Sequence, residues 1–405
     1  MTAQSQPPGV VPPSGRASAF VASILGWTLD AFDFFLVVFC LTAIGGEFHR
    51  SDATTSLAIV ATLAFRPLGG FLFGLLADHY GRRVPLICNL VLCSAIQVFS
   101  GLAPNFTVFL VSRAAFGMVM GGQWGVGASL AMEKAPVRLR GLFSGMLQQG
   151  YAAGYLLAAL CYYAMFDSLG WRPMFFVASA PALLTAVFVG LRVPESEIWR
   201  QTRLKTWDGL ARALLSNWKL LLYVTAFSMA MHMTSHGSQD MYPTFLQRQW
   251  GFKVTQRATL TAFSMVGAIL GGTLFGFLSD RWGRRRAIIS ALSGAVVAVP
   301  LWAFAPSISL LCAGAFSIQF LIQGAWGVVP AHLTELSPDS VRGFLPGFGN
   351  QCGVVLASSV VYIEALFAKQ TSYGFAMAAT AGVVLLGAIS LTAVGPERHA
   401  TKFGE

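Results

Sequence analysis

Residues 232–244 read HMTSHGSQDMYPT and bring two imidazoles, an amide and a carboxylate into one short stretch. His232, His236, Gln239 and Asp240 stand at i, i+4, i+7 and i+8, which is one face of an α-helix. Imidazole titrates near neutral pH, so His236 beside Asp240 can take up and share a proton. Gln239 adds a neutral hydrogen-bonding group for a polar solute. Histidines at i,i+4 can also ligate zinc. No further His or Cys cluster accompanies this pair, so neither a metal nor a cofactor is expected.

Two other places put charge inside apolar runs, where an ionisable group is costly and functional by default. Asp30 and Asp33 lie at i,i+3 and share a helix face. Two close carboxylates out of water cannot both ionise easily, so one is expected to hold a proton. Together with His232 and Asp240 they form the expected proton-coupling set. A static ion pair with Arg66 is the plainer alternative. Arg113 opens the stripe R-x-x-x-G-x-x-x-G-G-x-x-G, whose glycines let a second backbone come close. A permanently charged guanidinium can fork onto a carboxylate. Arg113 is therefore expected to hold a substrate anion, or failing that to bridge Asp30 or Asp33. His236, Gln239, Gln351 and Tyr155 complete the expected substrate-binding set. Glu364, near the end of its run, is expected at the membrane interface.

The elements that carry these residues are membrane spans. The 405 residues are 55% hydrophobic and 11% charged, against about 25% charged for a soluble domain. Apolar runs fall at about 19–42, 55–77, 84–103, 106–132, 141–165, 171–192, 219–246, 257–279, 286–305, 308–332, 342–367 and 372–394. Each is near the roughly 20 residues that one span takes, so twelve transmembrane helices are expected. Lys and Arg crowd the loops that face inside if both termini are cytoplasmic. That placement explains the net charge of +10 without nucleic acid. The six cysteines show no paired spacing. The expected organisation is a tail (1–17), a six-helix bundle (18–192), a cytoplasmic linker (193–218), a second bundle (219–395) and a tail (396–405). The linker is expected to carry a short surface helix around Trp199 to Leu215. The protein is expected to act as a monomer in the cell inner membrane.

The halves repeat at one offset. Gly74-x-x-x-Asp78-x-x-Gly81-Arg82-Arg83 returns as Gly276-x-x-x-Asp280-x-x-Gly283-Arg284-Arg285, 202 residues on (276 − 74). Glu133, Pro136 and Arg140 return as Glu335, Pro338 and Arg342 at the same offset, and Gln149 returns as Gln351. A parallel repeat of six helices implies two bundles with a site between them. The repeated acids and arginines are expected to latch and release the inner face, because setting topology needs arginine but not aspartate.

These motifs resemble the major facilitator superfamily. The match runs from about residue 19 to 397, and the G-x-x-x-D-x-x-G-R-R loops are its most specific mark. The stretch Ser235, His236, Ser238, Gln239, Asp240 and Thr244 resembles a motif of fungal lactate and pyruvate permeases, within the sialate:proton symporter family. His232 stands where that motif has Asn. The resemblance implies proton-coupled symport of a small monocarboxylate, with His236 and Asp240 on substrate and proton, Arg113 on the carboxylate, and Gln351 in the pore. Sialic acid or an aromatic acid is the alternative cargo. An enzyme would need a nucleophile–base or metal constellation, and none is present. A drug exporter would carry a Gly-Pro motif in the fifth run, where Gly150–Tyr155 has none.

Overall fold

The computed structural model describes residues 13–50, 52–55, 57–202 and 206–403, and within these no strand occurs. The first half holds α1 (Pro13–Glu47), α2 (Leu57–Tyr80), α3 (Arg83–Gly101), α4 (Phe106–Lys134), α5 (Arg140–Gln148 continuing as Gly150–Leu169) and α6 (Trp171–Arg192). The second holds α7 (Trp218–Gln239), α8 (Val254–Trp282), α9 (Arg284–Ala303), α10 (Ile308–Leu336), α11 (Leu345–Ala357 continuing as Ser359–Gln370) and α12 (Tyr373–Val394). Among the described residues, nine helices are long and apolar enough to cross a membrane by length and composition. The remaining three are α4, α7 and α11, the last broken at Ser358. Together the twelve form the transmembrane fold expected from the runs.

Three interruptions were not legible as such. α5 breaks at Gln149 and α11 at Ser358. The seventh run is one helix to Gln239 and another, Tyr242–Arg248, beyond it. Pro243 at the start of that second helix lacks the N–H that would continue the first. Helix α1 also starts earlier than expected, inside the presumed tail, whose residues 1–12 lie outside the described residues. The linker carries two short helices, Glu197–Thr202 and Trp207–Ser216; residues 203–205 between them lie outside the described residues.

Packing follows the repeat. α2 runs along α4, and α8 runs along α10. Gly117 and Gly121 of α4 lie against the backbone carbonyls of Thr62 and Arg66 in α2, leaving no room for a Cβ. This is the close approach the glycine stripe implies. The tight turns after α2 and α8 are made by Gly81 (φ +102°) and Gly283 (φ +89°), a backbone region that side chains disfavour.

The halves meet at one end. The first part of α5 packs on α8 and α10, and the first part of α11 packs on α2 and α4. The later parts turn back onto their own bundles, Gly150–Leu169 along α1 and Ser359–Gln370 along α12 and α7. Interior space therefore opens away from the repeated motif.

The motif end is closed by hydrogen bonds between halves. Asp78 accepts from the Gly343 N–H (2.7 Å) and the Phe344 N–H (2.9 Å). Asp280 accepts from Gly141 (2.7 Å) and Leu142 (2.9 Å) in the mirror arrangement. Arg82 pairs with Asp78 (2.8 Å) and Glu133 (3.3 Å). Arg284 pairs with Asp280 (2.9 Å) and Glu335 (2.9 Å). Arg140 reaches across to Glu335 at 3.0 Å. Arg342 pairs with Asp339, and its carbonyl accepts from Ser129 (2.7 Å). Phe403 lies between the Arg140 and Arg342 guanidiniums, 3.8 and 3.7 Å from its ring centre. Arg83 and Arg285 work within their own halves. They donate to carbonyls at the ends of α6 and α12, where a cation complements the helix dipole.

Candidate functional site

Between the halves lie two adjoining chambers that share Tyr151 and Gln239. The outer one, about 290 Å³, has Phe35, Tyr155, Tyr242 and Trp302 among its walls. Tyr155 packs edge-on to Phe35 at 4.8 Å, so its ring is held by α1. The inner chamber, about 100 Å³, is lined by Arg66, His232, His236 and Gln323, with Trp27 and Trp326 as its apolar sides. Burying a polar solute is costly unless its groups are met, and this chamber offers both charge and amides.

The polar wall comes from α7 and α10. His236 Nδ1 lies 3.0 Å from Asp240 Oδ2, just where α7 stops. His232 Nε2 lies 3.2 Å from Asn350 Oδ1, and its ring packs 4.5 Å from that of Trp326. Gln239 donates to Gln319 Oε1 (2.7 Å), and Gln319 donates to Ser238 Oγ (3.3 Å). Gln323 donates to Ser235 Oγ (3.1 Å). The i,i+4 amides of α10 thus fix the face of α7 that the chamber sees.

Opposite stands Arg66 on α2. It is buried, its Nε has no hydrogen-bond partner, and no carboxylate pairs with it among the described residues. Asp30 lies within its electrostatic reach. A buried guanidinium is ordinarily forked onto an anion.

Asp30 and Asp33 form a second polar centre, inside the first bundle. Both are fully buried. Cys93 Sγ donates to Asp30 Oδ1 (3.6 Å) and Asp33 Oδ2 (3.9 Å). Arg113 donates through Nη2 to Gln97 Oε1 (2.8 Å) and Ser100 Oγ (2.7 Å), and its guanidinium lies 4.6 Å from the Phe116 ring centre. Gln97 stands between Arg113 and Asp33. The centre has no lining residue in either chamber.

The profile of the family described as sugar (and other) transporter matches residues 18–251 and 220–396. The chain belongs to this family. Among relatives of this transporter, the sialic acid transporter NanX of Escherichia coli is 25% identical over 93% of the chain and 94% of its own length. A carboxylic acid transporter protein homolog of Saccharomyces cerevisiae is 28% identical over 87% of the chain, which spans 61% of that longer protein. Among solved structures, the major facilitator proton:xylose symporter XylE superposes with a TM-score of 0.76 at 18% identity, covering 97% of this chain and 98% of its own. The fold is therefore that of a major facilitator, and the protein is a multi-pass membrane transporter, not an enzyme.

Within this transporter, His232, His236, Gln239, Asp240 and Tyr155 line the chambers. Two expected substrate ligands do not. Arg113 points into the first bundle, held by Gln97 and Ser100, because the face of α4 toward α3 carries it. Gln351 is buried against Gly70 of α2, its amide without a partner among the described residues. Its repeat mate Gln149 sits over Gly272 in the same way. Asp30 and Asp33 are likewise off the chambers. Glu364, expected at the interface, is 1% exposed and packs against Gly237 of α7. The polar chamber-lining residues not foreseen are Arg66, Gln319 and Gln323. An arginine inside an apolar run was a visible signal for the first; the i,i+4 amides of α10 were a weaker one for the others.

Proposed function

We propose that this protein is a proton-coupled symporter of a small monocarboxylate, of the lactate or pyruvate kind. The observation that carries the reading is the buried Arg66, its Nε without a hydrogen-bond partner among the described residues, facing His232 and His236 across one chamber between the halves. A guanidinium opposite imidazoles offers a carboxylate both a fork and a proton donor. The yeast and Escherichia coli relatives, named for carboxylic and sialic acids, support an organic-acid cargo. The match of the α7 stretch to the lactate-permease motif supports a monocarboxylate, and with it membership of the sialate:proton symporter family.

In this reading the closed motif end is cytoplasmic, both termini lie inside, and the chambers open to the outside of the cell inner membrane. A proton enters onto the Asp30/Asp33 centre or the His236–Asp240 pair, and the anion settles on Arg66. With the charges neutralised, the two bundles, 18–192 and 219–395, rock about the site while the linker 193–218 holds them together. The Asp78 and Asp280 latches release, and both cargoes leave inside. The protein works as a monomer with no cofactor. Arg113 keeps a role through Gln97, on the protonation of Asp33 rather than on the anion.

The aromatic walls of the outer chamber favour a second cargo, an aromatic acid whose ring would rest there while its carboxylate reached Arg66. The test is uptake of radiolabelled lactate into proteoliposomes under an imposed pH gradient. Acid outside should drive accumulation, and benzoate and sialate as competitors should rank the alternatives. Lactate uptake that ignores the gradient would refute the proposal.

A further inference from the structure

Glu364 belongs to neither chamber and has no place in the reading above. It sits in the later part of α11, 1% exposed, in the span of a helix that crosses the membrane. Neither of its carboxyl oxygens has a hydrogen-bond partner among the described residues. It is seated over Gly237, where a Cβ would lie 3.2 Å from Oε1 and 3.6 Å from Val360 Cγ2. The glycine therefore makes the room the carboxyl occupies.

The groups around it are few. Gly237 follows His236 directly and precedes Asp240 by three positions, so α7 brings that hydrogen-bonded pair to the same region. α12 brings no charged side chain, only Tyr373 at its start. On its own helix Lys369 is exposed beyond the buried stretch, and the first part of α11 carries no charge. A buried carboxylate with neither a cation nor a hydrogen-bond donor among the described residues is strongly disfavoured in such a place. The group is stable there as the neutral acid. It can ionise only if α11 and α7 shift so that water or His236 reaches it. The later part of α11 is free to do so, because it begins at the Ser358 break and packs within its own bundle.

We propose that Glu364 is a proton-binding residue of the second half, charged with a proton in the outward-open arrangement and emptied through the His236–Asp240 pair as the chambers close. In that step the O–H bond at Glu364 breaks and one forms on the Asp240 carboxylate, the negative charge passing the other way. The inference rests on the proton-coupled reading, and it adds a carboxyl carrier in the second half, where the repeat places His232 and Ser235 opposite Asp30 and Asp33 (232 − 30 = 202 and 235 − 33 = 202).

The experiment compares Glu364→Gln with the wild type in proteoliposomes, using lactate. Homoexchange of lactate at equal pH moves the loaded carrier back and forth without discharging its proton. Accumulation down a pH gradient requires discharge on every cycle. The ratio of exchange to accumulation should rise about tenfold or more in Glu364→Gln. An unchanged ratio with a wild-type pH profile overturns the inference while leaving the symport reading intact. Wild-type uptake that ignores the gradient overturns both. A second measurement needs no variant: labelling the wild type with dicyclohexylcarbodiimide, which attacks protonated carboxyls in apolar surroundings, followed by peptide mapping. Label at Glu364 that fades toward alkaline pH is expected; no label at any pH counts against the proposal.

Discussion

The Asp78 carboxylate of the first half accepts the backbone N–H of Gly343 in the second at 2.7 Å. Asp280 and Gly141 repeat the bond at the same distance in the opposite sense. Two reciprocal, charge-assisted bonds, the first buried and the second partly so, thus hold one end of the molecule shut. Each is worth roughly 1.5–3 kcal/mol. Replacing either acid with Asn leaves one acceptor where there were two. Asp78→Asn and Asp280→Asn should each shift the population toward an open motif end. Alkylation of Ser144→Cys, whose side chain meets the Ala331 N–H across the closed interface, should speed up about tenfold in either variant. Equal alkylation rates would show that the latches carry no bias.

Arg66 and Arg113 separate by experiment. Arg66→Gln should weaken lactate binding about tenfold or more, read by titration of tryptophan fluorescence, since Trp27 and Trp326 line the same chamber. Arg113→Gln should leave that affinity within about threefold and change the pH dependence of uptake, because it acts beside Asp33. The reverse pattern would restore Arg113 as the anion's partner.

Phe403 is held between arginines that the repeat relates and that belong to different halves. Arg140 also donates to the Thr401 carbonyl at 2.8 Å. A cation–π contact contributes about 0.5–1 kcal/mol at a part-exposed site. Phe403→Ala should therefore open the motif end by a few-fold in the same alkylation assay, less than the aspartate variants. Phe403→Trp should preserve closure. A rate for Phe403→Ala matching wild type would mean the segment is a passive tail.

Gly121 faces the Arg66 carbonyl and Gly117 the Thr62 carbonyl. Ala at either position forces α4 off α2, and overpacking of this kind costs about 1–3 kcal/mol. Gly121→Ala should lower the thermal midpoint in detergent by several degrees. It should also disturb lactate affinity more than Gly117→Ala does, since it moves the backbone that carries Arg66. Gly190, which meets only the end of one flexible side chain, Ile87, should tolerate Ala without change.

The twelve runs, their order and the 202-residue repeat are written in the chain, because a span needs length and apolarity and both are local. The α7 wall was legible too: a helix fixes which of its own residues share a face, so His232, His236, Gln239 and Asp240 had to stand together. What a helix does not state is the direction that face takes. α1 to α4 are apolar on almost every side, whether they meet lipid or protein, so no hydrophobic stripe tells the chamber from the neighbouring helix. The rotation that turned Arg113 toward Gln97, Arg66 toward the chamber and Glu364 onto Gly237 was decided by packing, chiefly by which glycines admit a neighbouring backbone or carboxyl. The closed end likewise needed tertiary structure, since Asp78 and Gly343 are 265 residues apart in sequence and meet only when the two bundles dock.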